Sequence, residues 1–181
     1  MYELVQELDA TLDKRKQFTT IIKIGMSPSG QYCVGRSKPI PGFLGRDEIL
    51  KAIPDVQFAP VTSENPFFFE VKGRQRLVFT LAVDSWFFQP TIAPFTLKTP
   101  DPLNNFVNQT KLQDDPLGYG RSKTIYVDDE NKIKQEKPYV YNLFIDVWQN
   151  PEDIKSAVTP VIIDPDVGNG GDDDGPGDGR G

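Results

Sequence analysis

Ten residues, Tyr139 to Trp148, constrain the fold more than any other stretch. They alternate without a break. Tyr139, Tyr141, Leu143, Ile145 and Val147 fall on one face of an extended chain, and Val140, Asn142, Phe144, Asp146 and Trp148 on the other. Period-two spacing in β-branched and aromatic residues is a strand signal. Bulky residues on both faces make it a central strand, half covered even on its outer side. A sheet built around it must stack on a second layer.

The rest of the chain supplies partners of the same kind. Phe18–Ile24 reads as a strand closed by the turn Ser27-Pro-Ser-Gly30, with Gln31–Gly35 returning beside it. Arg46–Ile53 allows one or two helical turns, and Val56 and Phe58, with Val61 as a possible third member, suggest a short strand. Phe67, Phe69 and Val71 alternate up to Gly73-Arg74, which suits a type II′ turn, and Leu77, Phe79, Leu81 and Val83 alternate away from it. Trp86–Gln89 continues that strand or starts another, and Phe95–Leu97 is a further short strand. Thr124–Val127, the turn Asp-Asp-Glu-Asn and Ile133 read as a second hairpin, and Val161–Ile163, bracketed by Pro160 and Pro165, as a last strand. Residues 98–120 read as a long loop crossing between sheets. At the N-terminus, Leu4, Val5, Leu8 and Leu12 share a helical face, although Tyr2, Leu4 and Gln6 also suit an edge strand. The expectation is an all-β chain: a two-layer antiparallel β-sandwich of about seven or eight short strands with one or two short helices. A small barrel is the alternative.

With 181 residues the chain is long enough for one domain with a real core. Sixteen prolines and fifteen glycines lie between the apolar runs, as many turns and few long helices require. The segment from Asp164 onward carries five of the six net negative charges, leaving the remainder nearly neutral. Residues 1–163 are therefore read as the sandwich domain and 164–181 as a disordered acidic Asp/Gly tail. A near-neutral body shows no bulk charge signature for nucleic acid or anionic lipid. No apolar stretch approaches a membrane span, and the N-terminal residues lack a signal-peptide pattern, so a cytoplasmic protein is expected.

Histidine is absent. That removes the commonest general base, the usual zinc ligand and any Ser-His or Cys-His triad within the chain. The single Cys33 excludes an intrachain disulfide and reads as a buried small hydrophobe. Asp164-x-Asp166-x-x-Asn169 fails as an EF-hand, because position 6 is Asn169 and position 12 is Gly175. Gly118-Tyr-Gly-Arg-Ser-Lys123 lacks phosphate-loop spacing and precedes a strand. Asp114-Asp115 and Asp128-Asp129 sit in turn contexts, where Asp serves backbone hydrogen bonds. Asn108-Gln-Thr110 is a glycosylation sequon only in a secreted protein. No catalytic residue, metal site or cofactor is assigned. The candidate binding residues are Trp86, Tyr119, Asp114, Asp115 and Trp148, with Phe87 and Phe88 as further rings whose exposure would matter.

The segment Tyr139–Gly171, with Ile163-Asp-Pro-Asp-Val-Gly-Asn-Gly-Gly171, resembles the C-termini of small bacterial β-sandwich proteins of unknown function, in the style of the inclusion-body (PixA/AidA-like) family. The resemblance implies a β-sandwich of bacterial origin and assigns no site. The functional expectation is a non-enzymatic binding or structural protein, with a protein partner or self-association, no nucleic acid and no membrane. Two alternatives are a carbohydrate- or small-ligand-binding domain, hydrolytic if loop carboxylates converge, and a phage or virion structural protein. A glycan is the corresponding ligand for the first of these.

Overall fold

The computed structural model describes residues 17–62, 74–102, 104–130 and 140–164. Two sheets face each other. The larger contains β1 (Gln17–Met26), β2 (Tyr32–Arg36), β3 (Ile40–Pro41), β4 (Ala59–Pro60), β5 (Arg74–Leu81), β8 (Phe106–Lys111) and β9 (Thr124–Asp129). Its order is β4-β2-β1-β5-β9-β8, with β3 also on β1. The smaller contains β6 (Trp86–Phe88), β7 (Phe95–Leu97), β10 (Tyr141–Trp148) and β11 (Val158–Ile163). Here β10 is central, with β11 on one edge and β6 and β7 end to end on the other.

Alternation fills the space between the sheets. Ile22, Ile24, Leu77, Phe79, Leu81, Ile125 and Val127 of the larger sheet meet Trp86, Phe88, Phe95, Tyr141, Leu143, Ile145 and Ile163 of the smaller. Phe79, Phe95 and Tyr141 touch ring to ring, with centroids 5.3 to 5.7 Å apart. Fully burying a side chain such as Phe79 or Ile145 contributes roughly 1.5–3 kcal/mol.

The outer face of the larger sheet is covered too. Strands β1 and β5 pair in parallel, from Gln17 opposite Arg74 to Ile24 opposite Leu81. A parallel pair needs a long crossover, and this one carries α1 (Arg46–Ala52). The Gly45 N–H donates to Glu48 Oε2 at 2.9 Å, and Asp47 with Glu48 complements the helix N-terminus. Ile49 of α1 then closes a second apolar cluster with Ile21, Val56, Val78 and Leu112. Across the same face, Arg76 donates from Nε and Nη2 to the two carboxylate oxygens of Asp128 at 2.7 and 2.9 Å.

The all-β sandwich reading holds, with α1 where a short helix is expected, one parallel pair in the larger sheet and no closed barrel. Several local expectations are corrected. Residues 67–71 lie outside the described residues. Arg74 belongs to β5, and both edges of β5 are taken by β1 and β9, so Leu77–Leu81 are not the return arm of a hairpin. Val56 ends a 3-10 turn instead of forming a strand, and only Ala59–Pro60 pair, against β2. The long 98–120 loop contains strand β8. Asp128 and Asp129 sit buried in β9, not in a turn, because Arg76 stands opposite Asp128. Pro160 lies inside β11, which tolerates it as an edge strand. Residues 1–16 and 165–181, hence the N-terminal helix or strand and the tail, lie outside the described residues, as does Ile133.

Candidate functional site

Strand β10 presents Asn142, Phe144, Asp146 and Trp148 on the face of the smaller sheet that points away from the core. Their neighbours across the register are Phe87 of β6 opposite Asp146, and Ile162, Pro160 and Val158 of β11 opposite Phe144, Asp146 and Trp148. This face lacks the kind of helix that covers the larger sheet among the described residues. Ile162 is 53% exposed, whereas Phe144, Asp146 and Trp148 are half-buried. Aromatic rings set on an open sheet face are a surface on which flat rings stack.

One end of this face is built by the loop from 113 to 123, folded by its own side chains. Asp114 Oδ1 accepts the backbone N–H groups of Lys123 and Thr124 at 2.8 and 3.0 Å. Asp115 Oδ1 accepts the Leu117 N–H at 2.9 Å, and the Ser122 carbonyl accepts the Phe88 N–H at 2.8 Å. Gly118 and Gly120 take positive φ (76° and 75°), which lets the chain reverse twice within a few residues. The reversal brings Arg121 and Lys123 over the outer side of Phe87.

Arg121 is the hub. Its guanidinium carbon lies 3.9 Å from the Phe87 ring centroid, 4.5 Å from Trp148 and 5.1 Å from Tyr119. Its Nε donates to Asp115 Oδ2 at 2.6 Å, and Nη2 donates to the Pro151 carbonyl at 2.8 Å. The side chain is 9% exposed, and its buried Nη1 has no hydrogen-bond partner among the described residues. Tyr119, 42% exposed, caps the stack and donates to the Glu152 carbonyl. Lys123 Nζ donates to the carbonyls of Val83, Asp84 and Trp86 at 2.6 to 3.1 Å and lies 4.3 Å from the Phe87 centroid. Burial draws its pKa down to about 8, against the pull of Asp84 and Asp114. It is therefore still the ammonium those three carbonyls need at neutral pH.

The carboxylates differ in state. Burial pushes Asp115 upward, but the Arg121 guanidinium and the Leu117 amide outweigh it and hold the group below its ordinary value. Asp146 is pushed above the ordinary value by burial among apolar neighbours. Among the described residues its carboxylate makes no hydrogen bond and no ion pair.

Of the five residues singled out in the sequence, four gather here. Asp115, Tyr119 and Trp148 surround Arg121, and Asp114 braces the loop beneath Lys123. Trp86 is a correction: its ring is buried between the sheets, 6.2 Å from Tyr32, and only its carbonyl reaches the site. Phe87 and Phe88 are buried as well. Sequence reasoning missed Phe144 and Asp146, which the outward alternation of β10 could have marked, and it set Arg121 and Lys123 aside when it rejected Gly118–Lys123 as a phosphate loop. The acidic pairs do not converge on a ligand pocket, because Asp128 is spent on Arg76 and Asp114 on backbone amides. Among the described residues no group of three Asp, Glu, Cys or His is placed to hold a metal ion.

Residues 50–172, about two-thirds of the chain, match the model of a family described as predicted novel nucleotide synthetases. No curated protein and no solved structure matches the chain significantly. The chain belongs to that family. The match spans β10, the Arg121 loop and β11. It overturns the expectation of a non-enzymatic binding or structural protein, together with its carbohydrate-domain and virion alternatives. The absence of histidine and of nucleophile motifs misled that reading, since chemistry at phosphates rests on positioning and charge stabilisation and needs neither. The comparisons do not bear on the likeness to the inclusion-body group.

Proposed function

We propose that this member of the nucleotide synthetase family is an enzyme that binds a nucleotide on the open face of the smaller sheet and builds a nucleotide product there. The base stacks on the Phe144–Trp148 row, and the phosphates lie toward Arg121. The observation that carries this reading is the juxtaposition itself. Two half-buried aromatic side chains flank a carboxylate on one strand, and a guanidinium with an unused N–H stacks on the last of those rings. A stacked base gains about 1–3 kcal/mol from such a ring, and a guanidinium is suited to phosphate oxygens. Access to Nη1 requires Tyr119 to swing off the stack, which breaks one exposed hydrogen bond. Membership of a family described as predicted nucleotide synthetases supports the class of substrate and reaction.

The test uses the full chain with each of the four common nucleoside triphosphates in magnesium buffer. Binding is followed by Trp fluorescence and calorimetry, and products by chromatography with phosphate and pyrophosphate release. Binding of at least one triphosphate is expected, weakened about tenfold or more in Trp148→Ala and Phe144→Ala, with melting curves confirming that each variant is folded at the assay temperature. Absence of binding at millimolar concentration, or unchanged affinity in both variants, would overturn the assignment of this face.

A further inference from the structure

Asp146 carries a half-buried carboxylate that makes no hydrogen bond and no ion pair among the described residues. It stands midway between Phe144 and Trp148 on one strand face, about 7 Å from either along the chain. Phe87 and Pro160 flank it across the register. No cation or N–H group among the described residues answers it, although the other half-buried or buried carboxylates of the site each have partners. The Asp146 oxygens are not among the buried atoms, so both acceptors stand open to the donors of a ligand laid on this face.

The chemistry of the missing donor is specific. A carboxylate offers acceptors only, two oxygens side by side. Among the common bases, guanine alone presents two adjacent donors, N1–H and the N2 amino group, on its Watson–Crick edge. Adenine and cytosine pair one donor with a ring acceptor there, and uracil sets its N3–H between two carbonyls. Each of these would point at least one acceptor at the carboxylate.

Resting on the proposed use of this face, we infer that Asp146 makes the site selective for guanine. The base lies across Trp148 with N1–H and the N2 amino group donated to the two Asp146 oxygens, and its sugar and phosphates run toward Arg121. Asp146 is then a specificity-determining residue, and it takes no part in bond making.

The experiment compares GTP, ATP, ITP and XTP by calorimetry on the wild-type chain and on Asp146→Asn. ITP lacks the N2 amino group, and XTP replaces it with a carbonyl. The wild type is expected to bind GTP about 10–100-fold more tightly than ATP or ITP, the range that an unpaired polar group sets. Asp146→Asn offers one donor and one acceptor, so it should lose the preference for GTP and gain affinity for XTP. Its melting temperature should be nearly unchanged, because no protein partner of the carboxylate is lost among the described residues. Equal binding of GTP, ATP and ITP by the wild type overturns the guanine inference while leaving the nucleotide face standing. So does an Asp146→Asn variant that keeps its preference for GTP. Failure of the wild type to bind any of the four removes both.

Discussion

Arg121→Met probes the hub of the site most directly, because it removes the charge and keeps the stem. The Asp115 side chain is 1% exposed, so it would be left as a buried carboxylate answered only by backbone amides. Removing one partner of a buried pair costs about 3–5 kcal/mol. Loss of the guanidinium over Phe87 and Trp148 adds about 1 kcal/mol, and the thioether that replaces it on those rings returns a similar amount. The net expectation is a loss of about 4 kcal/mol. For a chain of this size that lowers the melting temperature by roughly 10–15 °C.

The measurement is urea and thermal unfolding of Arg121→Met, Asp115→Asn and the double variant. The double variant should be more stable than Arg121→Met alone, because no charge is then buried without a partner. The acid limb carries a second signature. Arg121 holds the folded pKa of Asp115 below its unfolded value near 3.9. That contribution to stability is therefore present above about pH 4 and lost as pH falls through the folded value. Without Arg121, burial of Asp115 is opposed only by the Leu117 and Tyr119 amides, and the loss should begin at higher pH. A drop in melting temperature of less than about 3 °C, or a double variant worse than Arg121→Met, would refute the reasoning.

Lys123→Met bears on the alkaline side. With a folded pKa of about 8 and an unfolded value near 10.4, the unfolded chain binds more protons between those limits, so the Lys123 contribution to stability rises with pH across that window. Thermal melts at pH 8 and pH 10 should show that part of the rise missing in the variant; identical slopes would contradict it. Gly35→Ala should destabilise by about 1–3 kcal/mol, because a Cβ there would run into the Gln57 carbonyl; an unchanged urea midpoint would show that the 56–60 segment yields freely. Leu143→Asp should abolish cooperative unfolding in near-ultraviolet circular dichroism, since the position is fully buried between the sheets. A normal melt would mean the core has been misplaced.

Strand β10 was legible because its two faces obey one rule each. Inward Tyr141, Leu143 and Ile145 are buried, and outward Asn142, Phe144, Asp146 and Trp148 are half-covered. Strand β8 was not legible. Phe-Val-Asn-Gln-Thr-Lys is polar because it pairs on one side only, and its register shifts between Val107 and Thr110, where Asn108 takes φ 56°. Asp128-Asp129 looked like a turn since nothing local shows that Arg76, 52 residues away, stands opposite. The same limit hid the site. Asp115, Tyr119 and Trp148 could be named as residue types, but the group that unites them is Arg121, and the carbonyls that seat Lys123 lie 37 to 40 residues before it.

Composition misdirected the functional reading for a definable reason. The absence of histidine excludes catalysis that needs an imidazole or a triad, and the chain was weighed against those chemistries. A nucleotide brings its own leaving group and its own charge. What it asks of a protein is a flat apolar surface, a cation, and a few donors and acceptors held still. On the proposed reading, Phe144, Trp148, Arg121 and Asp146 meet those needs from one sheet face. There, among the described residues, the Asp146 carboxylate and Arg121 Nη1 have no hydrogen-bond partner.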